Sequence, residues 1–152
     1  VSLRLRQKLK IGSFTMARGS LNGFWLQGTG FGSRARLNVQ RKFSEASVLH
    51  FDNALTQIHR QKGLVADTRL SLEQRVSAKA GISPGFGINA QTRPVLRTDA
   101  YAFSVLYRQQ FFREWLFYEV EPGVNWRRDV YGAYPAEMTT SIRLEMQFRR
   151  SQ

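Results

Sequence analysis

Strict alternation of apolar and polar residues runs through most of this chain of 152 residues. The stretch SIRLEMQF, residues 141–148, places an apolar residue at every second position and a polar or charged residue between each pair. Successive side chains of a β-strand point to opposite faces of a sheet, whereas a helix has a period near 3.6. An all-β chain is therefore predicted. The predicted strands lie near residues 2–10, 15–25, 32–42, 47–60, 64–77, 81–92, 99–109, 115–127 and 138–148.

The composition excludes several kinds of site and leaves a strong positive charge to explain. The chain has no Cys and two His, so disulfides and thiolate metal sites are excluded, and we expect neither a metal nor a cofactor. The net charge is +12 with a pI near 11.1, which is typical of nucleic-acid-binding proteins. No apolar run reaches the roughly 18 residues of a membrane helix, but the strands of a membrane barrel alternate and need no such run.

Three properties of the alternating segments favour a membrane barrel over a soluble sandwich. The apolar faces extend over nearly a dozen residues, which matches the roughly 9–11 residues that a tilted strand needs to cross a bilayer. Aromatic residues lie toward the strand ends, as in the girdles of membrane barrels. The opposite face is rich in Arg and Glu, which form bidentate pairs in a confined polar interior.

We therefore predict one domain, residues 1–152, that forms an antiparallel up-and-down transmembrane β-barrel of about eight or nine strands, or the C-terminal part of a larger barrel. Leu70, Leu72, Tyr118, Val120, Ile142, Leu144 and Met146 are predicted to face lipid. The predicted lumen-lining residues are Arg4, Arg6, Arg34, Arg36, Arg69, Glu73, Arg75, Arg108, Glu119, Glu121, Arg127, Arg143 and Glu145.

Two segments resemble a known family. SIRLEMQF is similar to the C-terminal strand signature of Gram-negative outer-membrane β-barrels, which alternates and ends in Phe; here RRSQ follows Phe148. YRQQFFREWLFYEVEPGVNWRRD, residues 107–129, resembles the last hairpin of uncharacterised proteobacterial barrel proteins, and the whole resemblance covers roughly residues 29–148. It implies a bacterial outer-membrane location and recognition of Phe148 by the barrel-assembly machinery. It implies no catalytic motif.

The expected function is a passive pore with a basic lumen, or a structural scaffold of a cell-envelope complex, without enzymatic activity. Expected partners are outer-membrane lipid, the barrel-assembly machinery, and other envelope proteins or further barrel strands, but no nucleic acid. The main alternative is a soluble basic β-protein that binds nucleic acid. A weaker alternative is an outer-membrane lipid hydrolase that uses His50, which shares a strand face with Asp52 and has His59 nearby. Glu119 and Glu121 are predicted to pair with Arg108, Arg127 and Arg143 rather than to act as a catalytic carboxylate pair.

The strand count leads to a further expectation. Single-chain bacterial barrels have an even number of strands, whereas nine segments alternate here. We therefore expect additional strands upstream, in the same polypeptide or in partner chains; the count returns to eight if residues 13–27 hold no strand. Bulges are expected near Asp52 and Asn53, where the alternation slips, and bulges or strand ends at Pro84 and Pro122.

Overall fold

A computed structural model of the protein describes residues 2–27, 30–59, 63–111 and 115–146. These residues form strands and no helix, which confirms the all-β prediction. Each predicted strand is present, including the one in residues 13–27. Phe148 lies outside the described residues. The strands are β1 (Ser2–Ile11), β2 (Thr15–Leu26), β3 (Gly30–Lys42), β4 (Ser47–Ile58), β5 (Leu64–Arg75), β6 (Ala80–Gln91), β7 (Arg97–Gln110), β8 (Leu116–Arg127) and β9 (Ala136–Met146).

The nine strands form a single antiparallel sheet in chain order, so the predicted up-and-down meander is confirmed. The strands β1, β3, β5 and β7 all end at one edge of the sheet, which we call the turn end. The longest connection, residues 128–135, lies at the other, the loop end. Within the described residues no ladder joins β1 to β9, and each of these edge strands pairs with one neighbour.

The register places the polar positions of all strands on one face. Arg4 lies opposite Asn22, which lies opposite Arg34, and this row continues to Thr56. We call this face the inner face, because its residues surround a cavity of about 790 Å³ that is lined by every strand from β1 to β8. The opposite surface, which carries Leu70, is called the outer face. A sheet whose second and eighth strands border one cavity is strongly curved.

The described residues contain almost no hydrophobic core. Ala17 is their one buried apolar residue, and none of their large side chains is fully buried. Large apolar side chains are instead exposed on the outer face, including Leu3 at 72%, Ile142 at 75% and Met138 at 88%. Soluble monomers rarely expose such extended apolar surface.

The expected irregularities lie elsewhere in the sheet. The register of β4 is unbroken at Asp52 and Asn53, so the bulge predicted there is wrong. β6 and β8 continue in register through Pro84 and Pro122, so these residues cause neither a bulge nor a strand end. Because proline has no N–H, pairing is interrupted over two residues beside each of them. The register shifts in β7 next to Asp99, opposite Asn89 and Ala90.

Candidate functional site

The inner face is the candidate functional surface. The register puts all thirteen residues that were predicted to line a lumen on this face. They fall into two groups, one around the cavity and one near the turn end. The residues of this set that border the cavity are Arg4, Arg6, Arg34, Arg36, Arg69 and Arg127.

Near the turn end, four charged side chains of β7, β8 and β9 form a network. Glu119 is 8% exposed and lies 3.1 Å from Arg143 and 3.5 Å from Arg108. Arg108 also lies 3.0 Å from Glu145, and its guanidinium stacks over the Phe117 ring at 4.6 Å. Two guanidinium groups compensate the buried carboxylate of Glu119, which would otherwise lose its hydration without replacement. The predicted pairing of Glu119 with Arg108 and Arg143 is confirmed.

Glu121 has a partner that sequence spacing did not identify. It lies 3.4 Å from Arg69 of β5 and accepts a hydrogen bond of 2.8 Å from Ser104 of β7. The Arg69 side chain crosses β6 at Gly85, where a Cβ atom would lie 3.4 Å from its Nη2. Glycine thus leaves the path over β6 clear. Arg127, predicted as a partner for these carboxylates, instead faces the cavity.

Three residues of β2 that border the cavity were missed in the sequence: Arg18, Ser20 and Asn22. They alternate with Ala17, Gly19, Leu21 and Gly23, so their common face was readable in principle. The weak hydrophobicity of Ala and Gly hid this alternation. The Asn22 Oδ1 atom is buried and accepts no hydrogen bond from the described residues.

Two inner-face carboxylates of the cavity wall are held by amides. Asn38 donates a hydrogen bond to Asp52, and Asn89 donates one to Asp67. Each pair joins neighbouring strands, β3 with β4 and β5 with β6. The amide in each pair satisfies a carboxylate lone pair but brings no positive charge to it.

The histidines do not form a joint site. His50 lies on the inner face, 3.3 Å from Glu73 of β5, and shares that face with Asp52 as expected. His59 follows the loop end of β4, nine residues away, where its backbone N–H donates to Phe31 O at 2.8 Å. The expectation that His59 lies near His50 is wrong. A hydrolase of the outer wall would need its base on the outer face, whereas the side chain of His50 points inward.

The outer face is apolar and nearly free of charge. All seven residues that were predicted to face lipid lie on it. Among the described strands, Arg41 is the one charged residue at an outer-face position. It lies near the turn end of β3, and its guanidinium stacks over the Phe43 ring at 5.5 Å. The outer face also carries a polar pair at mid-strand, where Asn53 donates a hydrogen bond of 2.7 Å to Thr68.

Aromatic side chains gather at both ends of the outer face. At the turn end, the hydroxyls of Tyr107 and Tyr118 both donate to Gln109 Oε1 at 2.6 Å. At the loop end, Tyr101 pairs across the sheet with Trp126 and lies 5.5 Å from the Tyr134 ring. Tyr118 and Trp126 are eight residues apart on β8, which corresponds to about 27 Å along the strand. At the usual barrel-strand tilt of about 40° this distance corresponds to about 21 Å along the membrane normal, a little less than the roughly 25 Å apolar band between the aromatic girdles of membrane barrels.

Comparison of the chain with protein-family models, curated proteins and solved structures gives no match. The described residues contain no helix that is long and apolar enough to cross a membrane.

Proposed function

We propose that this chain forms a wall of a transmembrane β-barrel in the outer membrane of a Gram-negative bacterium. The observation that carries the proposal is the outer face, which exposes large apolar side chains on eight of the nine strands while the described residues bury almost no core. Such a surface is stable only against an apolar medium. The strands support it further: β8 has 12 residues and extends about 40 Å, so it crosses a bilayer core of about 30 Å when tilted.

The inner face then encloses an aqueous passage, and its role is passive movement of anionic solutes. Arginines from β1, β2, β3, β5 and β8 border the cavity of about 790 Å³. Walls rich in Arg and Lys favour anions in a pore. The alternative role as a scaffold is favoured by one observation: the four charges around Glu119 tie β7, β8 and β9 together across the inner face.

A soluble nucleic-acid-binding role fits the arrangement less well. Proteins that bind single strands combine cations for the phosphates with aromatic rings for the bases on one surface. In this sheet the Tyr107, Tyr118 and Trp126 rings lie on the outer face, whereas the arginines lie on the inner face. Among the described strands the inner face carries two such rings, Phe24 and Phe117, so a single strand would find little stacking surface beside the arginines.

Cell fractionation tests the proposed location. The full chain should fractionate with outer membranes, require detergent for solubility, and migrate differently on gels with and without heating, because folded barrels resist cold SDS. A well-behaved monomer in detergent-free buffer would refute the proposal.

Planar-bilayer recordings of the assembled protein test the pore. Anion-selective conductance is expected from the excess of Arg over Asp and Glu around the cavity. Cation preference would contradict the pore function. Absence of conductance in a protein that does insert would favour the scaffold instead.

A further inference from the structure

The positive charge of the inner face is concentrated in one half of the sheet. Residues 1–44 contain nine Lys and Arg and no Asp or Glu. All ion pairs found among the described residues lie within β4 to β9. The half formed by β1, β2 and β3 therefore carries cations that no described carboxylate pairs with. Those at inner-face positions are Arg4, Arg6, Lys8, Lys10, Arg18, Arg34, Arg36 and Lys42.

Five of these cations converge on the cavity. We call them the arginine cluster: Arg4, Arg6, Arg18, Arg34 and Arg36. The register places Asn22 between two of them and Ser20 between another two, in adjacent rows across β1, β2 and β3. Because neighbouring strands are about 4.8 Å apart, the arginines that flank Asn22 or Ser20 start about 10 Å from each other. Long side chains that begin at this spacing can close on one solute from two sides.

The cluster is partly oriented and not internally satisfied. Arg34 donates from Nε to Thr56 Oγ1 at 2.8 Å, which holds its guanidinium at the cavity wall. The Asn22 Oδ1 atom between the flanking arginines accepts no hydrogen bond from the described residues, so neither arginine is tied to it. Like charges around one cavity repel each other, and the repulsion is relieved when an anion lies between them.

We propose that the arginine cluster binds a small solute with two or more anionic groups of the phosphate class. Guanidinium groups match phosphate in a bidentate geometry, and several arginines around one cavity favour several phosphate groups over one. The cavity volume of about 790 Å³ lies within the usual range for small-molecule sites. This inference rests on the proposed function, since it names the solute class of the same passage. Asp52 and Asp67 on the adjoining wall disfavour anions there and confine the site to β1, β2 and β3.

Calorimetric titration of the detergent-solubilised full chain with inorganic tripolyphosphate tests the site. Saturable binding is expected, weakened at least about tenfold in an Arg34→Gln/Arg36→Gln variant, because two charge-assisted contacts are lost. The matched control is Arg75→Gln/Lys79→Gln, which removes the same charge near the turn end, away from the cavity, and should weaken binding less than about threefold. Equal weakening in both variants would mean a diffuse electrostatic effect and would overturn the proposal.

Three further measurements make the result specific. Both Gln variants must retain heat-modifiable migration, which shows that they fold. An Arg34→Lys/Arg36→Lys variant should bind with intermediate affinity, because it keeps the charge but loses the bidentate geometry. Orthophosphate should bind at least about tenfold more weakly than tripolyphosphate, since it engages fewer arginines; equal affinity would refute the requirement for several anionic groups. Tighter binding of an oligothymidylate, per phosphate, would overturn the small-solute assignment in favour of nucleic acid.

Failure of this inference is separable from failure of the proposed function. A membrane-inserted protein without saturable tripolyphosphate binding overturns the arginine-cluster site alone. A detergent-independent monomer that still binds tripolyphosphate through Arg34 and Arg36 refutes the membrane location and supports the site.

Discussion

At the scale of single residues, Glu119 shows how the inner face tolerates a buried charge. It is the most buried carboxylate among the described residues, and two arginines on neighbouring strands compensate it. These partners are themselves well exposed, Arg143 at 67% and Arg108 at 37%. Solvent screening therefore limits what each contact contributes, and the main effect of removing the carboxylate is to leave two cations close together.

Replacing Glu119 by Gln should destabilise the sheet by about 2 kcal/mol, since the charge that separates Arg108 from Arg143 is lost. Urea unfolding of the protein in lipid vesicles measures this free energy. The control is Glu73→Gln, the same chemical change at a carboxylate that is 64% exposed and pairs with His50. It should cost less than about 0.5 kcal/mol. Equal losses of unfolding free energy in the two variants would show that the network around Glu119 stabilises the sheet no more than an exposed ion pair does.

The Asn53–Thr68 pair tests the medium at the outer face. In hydrocarbon, removal of one partner leaves the other without a hydrogen bond, so Thr68→Val alone should cost about 1 kcal/mol. The double variant Asn53→Leu/Thr68→Val leaves no polar group unsatisfied and should recover stability to the wild-type level or above. Unfolding free energies of the two single variants and the double variant form the required cycle. If the double variant loses as much unfolding free energy as the two single variants together, the environment at this position is not apolar.

At the scale of elements, the β2–β3 hairpin depends on a close approach between an aromatic ring and a glycine. A Cβ at Gly32 would lie 2.4 Å from Cε2 of Phe24, which lies directly across the hairpin. Gly32→Ala should therefore displace the ring and destabilise the hairpin by about 1–2 kcal/mol. At Gly23, a Cβ would lie 3.6 Å from the Phe31 ring, an ordinary contact, so Gly23→Ala is the matched control with little expected effect. Local hydrogen exchange of β2 and β3 amides reports the difference.

The two faces of β7 provide a direct test of the proposed orientation in a membrane. Val105 and Leu106 are adjacent at mid-strand, with Val105 on the outer face and Leu106 on the inner face. Val105→Arg should reduce stability in vesicles by about 2–4 kcal/mol, the cost of a cation near the bilayer midplane. Leu106→Arg should be tolerated, because the new cation faces water next to Glu121.

Folding yield and unfolding free energy in vesicles of defined thickness measure both β7 variants. Similar tolerance of arginine at the two positions would be incompatible with lipid on the outer face.

At the scale of the whole molecule, the odd number of strands determines how the sheet can close. With nine antiparallel strands, β1 and β9 run in the same direction, so joining them would need a parallel ladder. Unpaired edge groups in lipid cost several kcal/mol each, so the edges are expected to pair with an odd number of further antiparallel strands.

Disulfide scanning tests closure, and the absence of native Cys makes the background clean. A Leu5→Cys/Ile142→Cys variant would link β1 to β9 and should not crosslink within one chain, since the described residues form no ladder between these strands. Leu5→Cys/Leu21→Cys places the thiols on directly opposed residues of β1 and β2 and should crosslink readily. Rapid intramolecular crosslinking between β1 and β9 would show that nine strands close on themselves.

Sequence alone determined the strands, their order and the two faces of most of them, because side chains in a strand alternate with a period of two whatever the strand pairs with. SIRLEMQF and its counterparts were readable for that reason. Ser20 and Asn22 were not, since the glycines that flank them, Gly19 and Gly23, carry no hydrophobic signal. Nor could the sequence predict which charges meet. Arg69 reaches Glu121 only because the curved sheet and Gly85 let it cross two intervening strands. Periodicity is a local property of the chain, whereas ion pairing and the grouping of arginines around one cavity depend on curvature and register, which arise only when all strands pack together.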